Sequence, residues 1–197
     1  MARDRAANSA ASLPELIDRF AGVRVAVFGD LIADEFVYGR IARISREAPV
    51  LILEYDSTEM LPGGAGNAAH NAAVLGARVA LVGIAGRDEP GRRILAALPG
   101  RVEKSGVVRP PAYATPTKTR ILAGGIHSAK QQVVRIDRHR DAVTDVHRTT
   151  VERAARRAIR GADALLVSDY GSGLVRPAFV THLEHAKHVQ ASLKKTT

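Results

Sequence analysis

Apolar residues along the chain change period several times, and each change predicts an element. "VRVAVFGD" at 23–30 is a nearly unbroken apolar run closing on Gly29 and Asp30, the pattern of a strand buried on both faces. "RVALVGIAG" at 78–86 repeats it, and "ADALLVSDYGSG" at 162–173 is a third such strand running out into a polar, glycine-rich loop. Helical spacing appears at 13–20, with Ser12 as N-cap and Pro14 at the first position, and at 66–75, where Gly76 ends the helix. It recurs in "EPGRRILAAL" at 89–98 and at 146–160, and a last short helix follows 173.

Two stretches break this alternation with a period of two. "EFVYG" and "PVLILEY" are strand-like pieces around the polar turn "RISREAP", and "TKTRILAGG" and "KQQVVRID" form a hairpin around "GGIHSA". The order is therefore a strand, a β-rich insertion, helix, strand, helix, a Gly/Pro-rich connection, a β-hairpin insertion, helix, strand and a final helix. Strands alternating with helices predict an α/β fold with a parallel sheet flanked by helices, and the two insertions belong together in a second small sheet. No repeat of solenoid length is present.

The 197 residues allow one substantial core. No apolar run approaches the roughly 20 residues of a membrane span, and "MARDRAANSAAS" lacks the apolar stretch of a secretory signal. Residues 1–12 read as a flexible arm and the protein as cytoplasmic, with no membrane partner. The absence of cysteine excludes disulfides, thiolate metal sites and cysteine nucleophiles. An excess of 29 Lys+Arg over 20 Asp+Glu, +9 in all, favours anionic partners. Much of it lies in "RIDRHR" and in Arg153, Arg156, Arg157 and Arg160, a solvated helix face; without aromatics interleaved there, no nucleic acid is expected.

"PGGAGNAAHNAAVLG" at 62–76 is the densest chemical signal. "GAGNAA" satisfies G-x-G-x-x-A, but the dinucleotide fingerprint follows a strand of a βαβ unit, and "STEMLP" precedes this one; no G-K-[ST] supports a P-loop. The glycines either turn the chain and let an alanine-rich helix pack, or open the backbone to a ligand. In an open parallel sheet ligands bind outside the carboxyl ends of the strands. "GDLIAD", the helix start at 63–67 and "SDYGSG" all fall there, so Asp30, Asp34, Asn67 and Asp169 converge on one polyhydroxylated ligand.

"PGGAGNAAHNAAVLGARVALVGIAG" resembles the first signature of the ribokinase, or PfkB, family of carbohydrate kinases. "GDLIADEFVYGRIARISREAPV", "TPTKTR", "QQVVRID" and "LLVSDYGSG", in that order, are most similar to the heptose-7-phosphate kinase branch, over about 23–173. The resemblance implies a partial ribokinase-like kinase domain at 13–197, with a β lid at about 35–60 and 112–137 that covers the sugar and can pair two subunits into a homodimer. Asp34 with Gly63, Gly64 and Asn67 would bind sugar hydroxyls. Arg43, Lys118, Arg120 and Arg135 would hold a substrate phosphate or else stand exposed on the lid. Asp169 would lie at the sugar end of the cleft or cap its own loop.

The family transfers the ATP γ-phosphate, with Mg²⁺, to a sugar hydroxyl, using a late G-A-G-D aspartate as base. No G-A-G-D occurs here, the branch carries Lys where this chain has Ser172, and "HVQASLKKTT" leaves the family's pattern. The expectation is therefore the sugar-binding portion of a kinase, without a catalytic base, not binding ATP and Mg²⁺ productively and inactive alone. Alternatives are a non-catalytic sugar-phosphate-binding or lid-pairing protein and a nucleotide-binding module. His182, His185 and His188, three residues apart, belong to a solvated tail and not to a metal site.

Overall fold

The computed structural model of the chain describes residues 12–124, 129–138, 143–184 and 189–193. The arm expected over 1–12 lies outside them apart from Ser12, as do His185 and His188. Strand β1 (Arg24–Gly29) is the centre of a five-stranded sheet ordered β5-β4-β1-β8-β9, with β4 (Arg78–Ile84), β5 (Val102–Val108), β8 (Ala164–Asp169) and β9 (Val189–Leu193). All its pairings are parallel.

Period-two alternation in β1 divides the core into two layers. Val25 and Val27 pack with α2 (Ala65–Val74) and α3 (Glu89–Ala96), whereas Ala26 and Phe28 pack with α4 (Asp145–Arg160) and α5 (Pro177–Glu184). Phe28 is fully buried and meets the ring of Phe179 edge-on at 5.6 Å. The remaining helix, α1 (Leu13–Asp18), is capped where the Glu15 carboxylate accepts from the Ser12 amide at 2.8 Å; Pro14 is its second residue. Arg153, Arg156, Arg157 and Arg160 form the exposed face of α4, as their spacing predicted.

The two insertions do combine into one sheet, ordered β3-β2-β6-β7, from β2 (Leu31–Ile44), β3 (Leu51–Gly64), β6 (Thr117–Gly124) and β7 (Gln131–Arg138). β2 pairs β3 and β6 pairs β7 antiparallel, while β2 and β6 run parallel.

Three expectations need correction. The Gly/Pro-rich connection contains β5, an edge strand whose Glu103, Lys104 and Ser105 are exposed and hide its apolar period. A strand does precede "GAGNAA": β3 runs straight into α2, but it belongs to the second sheet, so no βαβ unit forms there. Residues 189–193, within the segment that seemed to leave the pattern, pair with β8 as β9.

Candidate functional site

The sheet reverses its winding between β1 and β8: β4 and β5 lie to one side of β1, β8 and β9 to the other. At such a switch point the chains leaving adjacent strand ends diverge and open a crevice. Asp30 occupies it. Its amide donates to the Ser168 carbonyl at 3.0 Å, and its carbonyl accepts from the Ala65 amide at 2.8 Å, joining the ends of β1 and β8 to the start of α2.

The Asp30 side chain is 3% exposed and faces the "DYGSG" loop. Its Oδ2 accepts from the amides of Tyr170 at 2.7 Å and Ser172 at 3.3 Å, and its Oδ1 accepts from the Ser172 hydroxyl. Burial pushes the carboxyl above its ordinary value, those hydrogen bonds oppose the rise, and the nearby charge of Asp169 adds to it. Asp169 itself accepts from the Gly171 amide at 2.9 Å, the loop-capping role that was one of its two alternatives. Both carboxylates thus shape the wall of the crevice. Ser172, where the resembling branch has Lys, is part of the same wall, since its hydroxyl also accepts from the Leu174 amide at 3.2 Å.

The glycines of "PGGAG" answer first to the protein itself. Gly64 has φ +57°, and a Cβ there would stand 2.2 Å from the Asp30 carbonyl oxygen. A Cβ on Gly63 would stand 2.1 Å from Oδ2 of Asp34. The close approach comes from Asp30 and Asp34, and it places the Asp34 carboxylate over the start of α2. Asn67, in the first turn of α2, is exposed, and its Oδ1 accepts from Nδ2 of Asn71 at 3.3 Å.

The second sheet supplies the facing wall. Cross-strand register puts Asp34 beside Lys118 and Phe36 beside Arg120 on β2 and β6, and Arg120 beside Arg135 on β6 and β7. Nη1 of Arg120 donates to Oδ1 of Asp34 at 2.5 Å, with both side chains about a quarter exposed, and the guanidinium lies 5.2 Å from the centre of the Phe36 ring. Arg135 forks onto Asp137, with bonds of 2.7 and 2.6 Å. Asp137 foremost, and Asp34 behind it, hold that guanidinium more firmly protonated than usual. Lys118 reaches across the crevice to the Tyr170 ring, its ammonium 5.2 Å from the centroid. Arg43 stands apart: exposed, nine residues beyond Asp34 on β2, or about 30 Å at a strand's rise.

The structure thus gathers Asp30, Asp34, Gly63, Gly64, Asn67, Lys118, Arg120, Arg135 and Asp169 around one crevice and leaves Arg43 out. Sequence reading missed Phe36, Tyr170 and Ser172, whose roles depend on partners far along the chain. It also missed the Asp88–Thr115 knot. Asp88 accepts from the Thr115 amide at 2.7 Å and its hydroxyl at 2.6 Å, anchoring the segment that leads into β6. Among the described residues no group of three His, Asp or Glu side chains converges as a metal site.

The comparisons agree with this architecture. The bifunctional protein HldE of Gluconobacter oxydans is 41% identical over 165 residues, covering 81% of this chain and 33% of that protein. HldE of Geobacter metallireducens is 39% identical over 160 residues, covering 80% and 32%. The chain therefore spans about a third of the length of the curated relatives it matches. Among solved structures, a possible 1-phosphofructokinase from Thermotoga maritima superposes with a TM-score of 0.63 at 17% identity, over 85% of this chain and 53% of that one. A carbohydrate kinase from Agrobacterium tumefaciens does so at 0.54 and 24%, over 86% and 53%. Both show the fold, a ribokinase-like sheet present in part. The match to the pfkB family carbohydrate kinases runs over residues 24–194, well past the 23–173 expected from the motifs and through β9, and by that match the chain belongs to the PfkB family.

Proposed function

We propose that these residues form the sugar-binding half of a carbohydrate kinase that phosphorylates a sugar phosphate of the heptose 7-phosphate type in the cytoplasm. The observation that carries the reading is the Asp34 carboxylate, pinned by Arg120 at 2.5 Å and overhanging Gly63 at the mouth of the switch-point crevice. A carboxylate fixed in this way accepts hydrogen bonds from adjacent sugar hydroxyls in set directions, and exposed Asn67, in the first turn of α2, offers both a donor and an acceptor. Holding the sugar there contributes positioning, which is most of what phosphoryl transfer asks of a protein besides charge neutralisation.

The substrate's phosphate falls to Lys118. Arg120 and Arg135 are already paired with carboxylates, whereas the Lys118 ammonium has no carboxylate partner among the described residues and sits at the crevice mouth. The family's ATP and Mg²⁺ supply the transferred phosphoryl group and its charge neutralisation. The sequence holds no G-A-G-D, the motif whose aspartate the family uses as base. The 197-residue chain alone is therefore expected to bind sugar phosphate without turnover.

The test is calorimetry of the chain with D-glycero-D-manno-heptose 7-phosphate, alongside an ADP-release assay with ATP and Mg²⁺. Saturable binding that Asp34→Asn weakens about tenfold or more, with no ADP release, is the expected result. No binding, or turnover by the chain alone, contradicts the reading. A second reading, a protein that pairs two copies through the second sheet, is favoured by exposed Ile41, Leu61, Val134 and Ile136 on its strands. Sedimentation at rising concentration separates the two, since pairing alone leaves the sugar titration flat.

A further inference from the structure

Arg120 is one of four cations that the sequence offers for a substrate phosphate, yet its surroundings suit another task. From the Asp34 side, Oδ1 receives Nη1 of Arg120 at 2.5 Å, while Oδ2 lies where Gly63 has no side chain, 2.1 Å from the position of an absent Cβ. Arg120 thus holds one oxygen, and the absence of a side chain at Gly63 leaves room for the other. From the Arg120 side, the guanidinium edge faces Asp34 and its plane meets Phe36 at 5.2 Å, so one flat group is held by a ring and a charge together. Arg135 stands beside it in register, with its own fork closed on Asp137.

A phosphate brought to Arg120 would have to displace the Asp34 carboxylate from its donor, whereas Lys118, though beside Asp34 and Asp137 in register, forms an ion pair with neither. A neutral sugar hydroxyl meets no such penalty and gains a carboxylate that cannot turn away. We infer that Arg120 is a positioning residue: together with Phe36 and Gly63 it locks the rotamer of Asp34 for sugar hydroxyls and does not contact the substrate's phosphate. This rests on the sugar-site reading above, and it assigns the two functions of the inner face to different residues, hydroxyl recognition to Asp34 through Arg120 and phosphate recognition to Lys118.

A double-mutant cycle tests it. Unmodified chain, Arg120→Gln, Arg120→Lys, Asp34→Asn and the Asp34→Asn, Arg120→Gln double variant are titrated with D-glycero-D-manno-heptose 7-phosphate and with the same heptose lacking phosphate, circular dichroism confirming that each variant is folded. If Arg120 acts through Asp34, Arg120→Gln weakens both ligands by the same factor, about tenfold. The double variant is then no weaker than Asp34→Asn alone, and Arg120→Lys, which restores the charge without the planar fork, recovers part of the loss. Two results overturn the inference: loss confined to the phosphorylated ligand, or additive effects of the two substitutions. Failure of the unmodified chain to bind either sugar is a different outcome, and it overturns the sugar-site reading itself.

Discussion

The two sheets of this molecule differ in how they are held together and in what they expose. Every face of β1 is covered, and its Val27 and Phe28 are fully buried between two helical layers. β7, in the second sheet, is exposed along its whole length and is held by pairing to β6 and by the Arg138–Glu35 ion pair to β2. Exposed pairs of this kind contribute about 0–1 kcal/mol each. Stability therefore concentrates in the parallel sheet, while the second sheet spends its residues on charge, rings and exposed apolar side chains. Its side chains are ones a core would reject, and it is anchored where the Ala65 amide bonds the Asp30 carbonyl and where Thr115 bonds Asp88.

The sharpest way to break that comparison is to truncate an aromatic ring in each sheet. Phe28→Ala, which empties a fully buried site against Phe179, is expected to cost about 3–5 kcal/mol in denaturant unfolding. Tyr38→Ala, on half-buried β2, removes a ring stacked on Phe36 at 6.5 Å, a 5.4 Å contact with the Lys130 ammonium and an exposed hydrogen bond to Glu59, and is expected to cost about 1 kcal/mol or less. Equal losses would mean that the two sheets form one cooperative core.

At the junction the expected effect is smaller. Gly64→Ala places a Cβ 2.2 Å from the Asp30 carbonyl at φ +57°. It should lower stability by about 2 kcal/mol and weaken sugar-phosphate binding as well, because the shift falls on Asp30 and the start of β2 that carries Asp34. A variant with intact binding would show that the junction does not set the geometry of the site.

The smallest effect sharpens the role of Asp30. Asp30→Asn turns an acceptor into a donor facing the Tyr170 and Ser172 amides, an expected loss of about 1 kcal/mol. Its pH dependence carries a sign. Burial raises the carboxyl of the folded chain above its ordinary 3.8, so folding binds a proton; the contribution is complete below 3.8 and declines as pH rises through the raised value. The stability difference between the unmodified chain and the variant should therefore narrow as pH rises from 3.8 through the raised value. A constant difference would show that Asp30 is not desolvated.

Much of the parallel sheet was legible because burial on both faces imposes an unmistakable pattern: "VRVAVFGD" and "RVALVGIAG" leave few alternatives to a covered strand. β5 was not legible, since an edge strand tolerates Glu103 and Lys104. The second sheet was legible as strands but not in extent, because β2 begins directly after Asp30 and continues through its polar residues to Ile44. In the site, the positions of Asp34, Gly63 and Asn67 followed from strand ends and the glycine run. Their partners did not: Asp34 meets Arg120 across 86 positions, and Asp30 meets Ser172 across 142. No local spacing encodes such pairs, so the contacts of Arg120 with Asp34 and of Asp30 with Ser172 had no signal in the sequence.

The most direct test of the central claim is hydrogen–deuterium exchange of the chain with and without D-glycero-D-manno-heptose 7-phosphate. A sugar seated in the switch-point crevice predicts slowed exchange in 30–36, 63–68, 117–121 and 168–173, with β7 and the α4 face unchanged. Protection confined to other surfaces, or no protection at saturating ligand, would contradict the placement of the site between the two sheets.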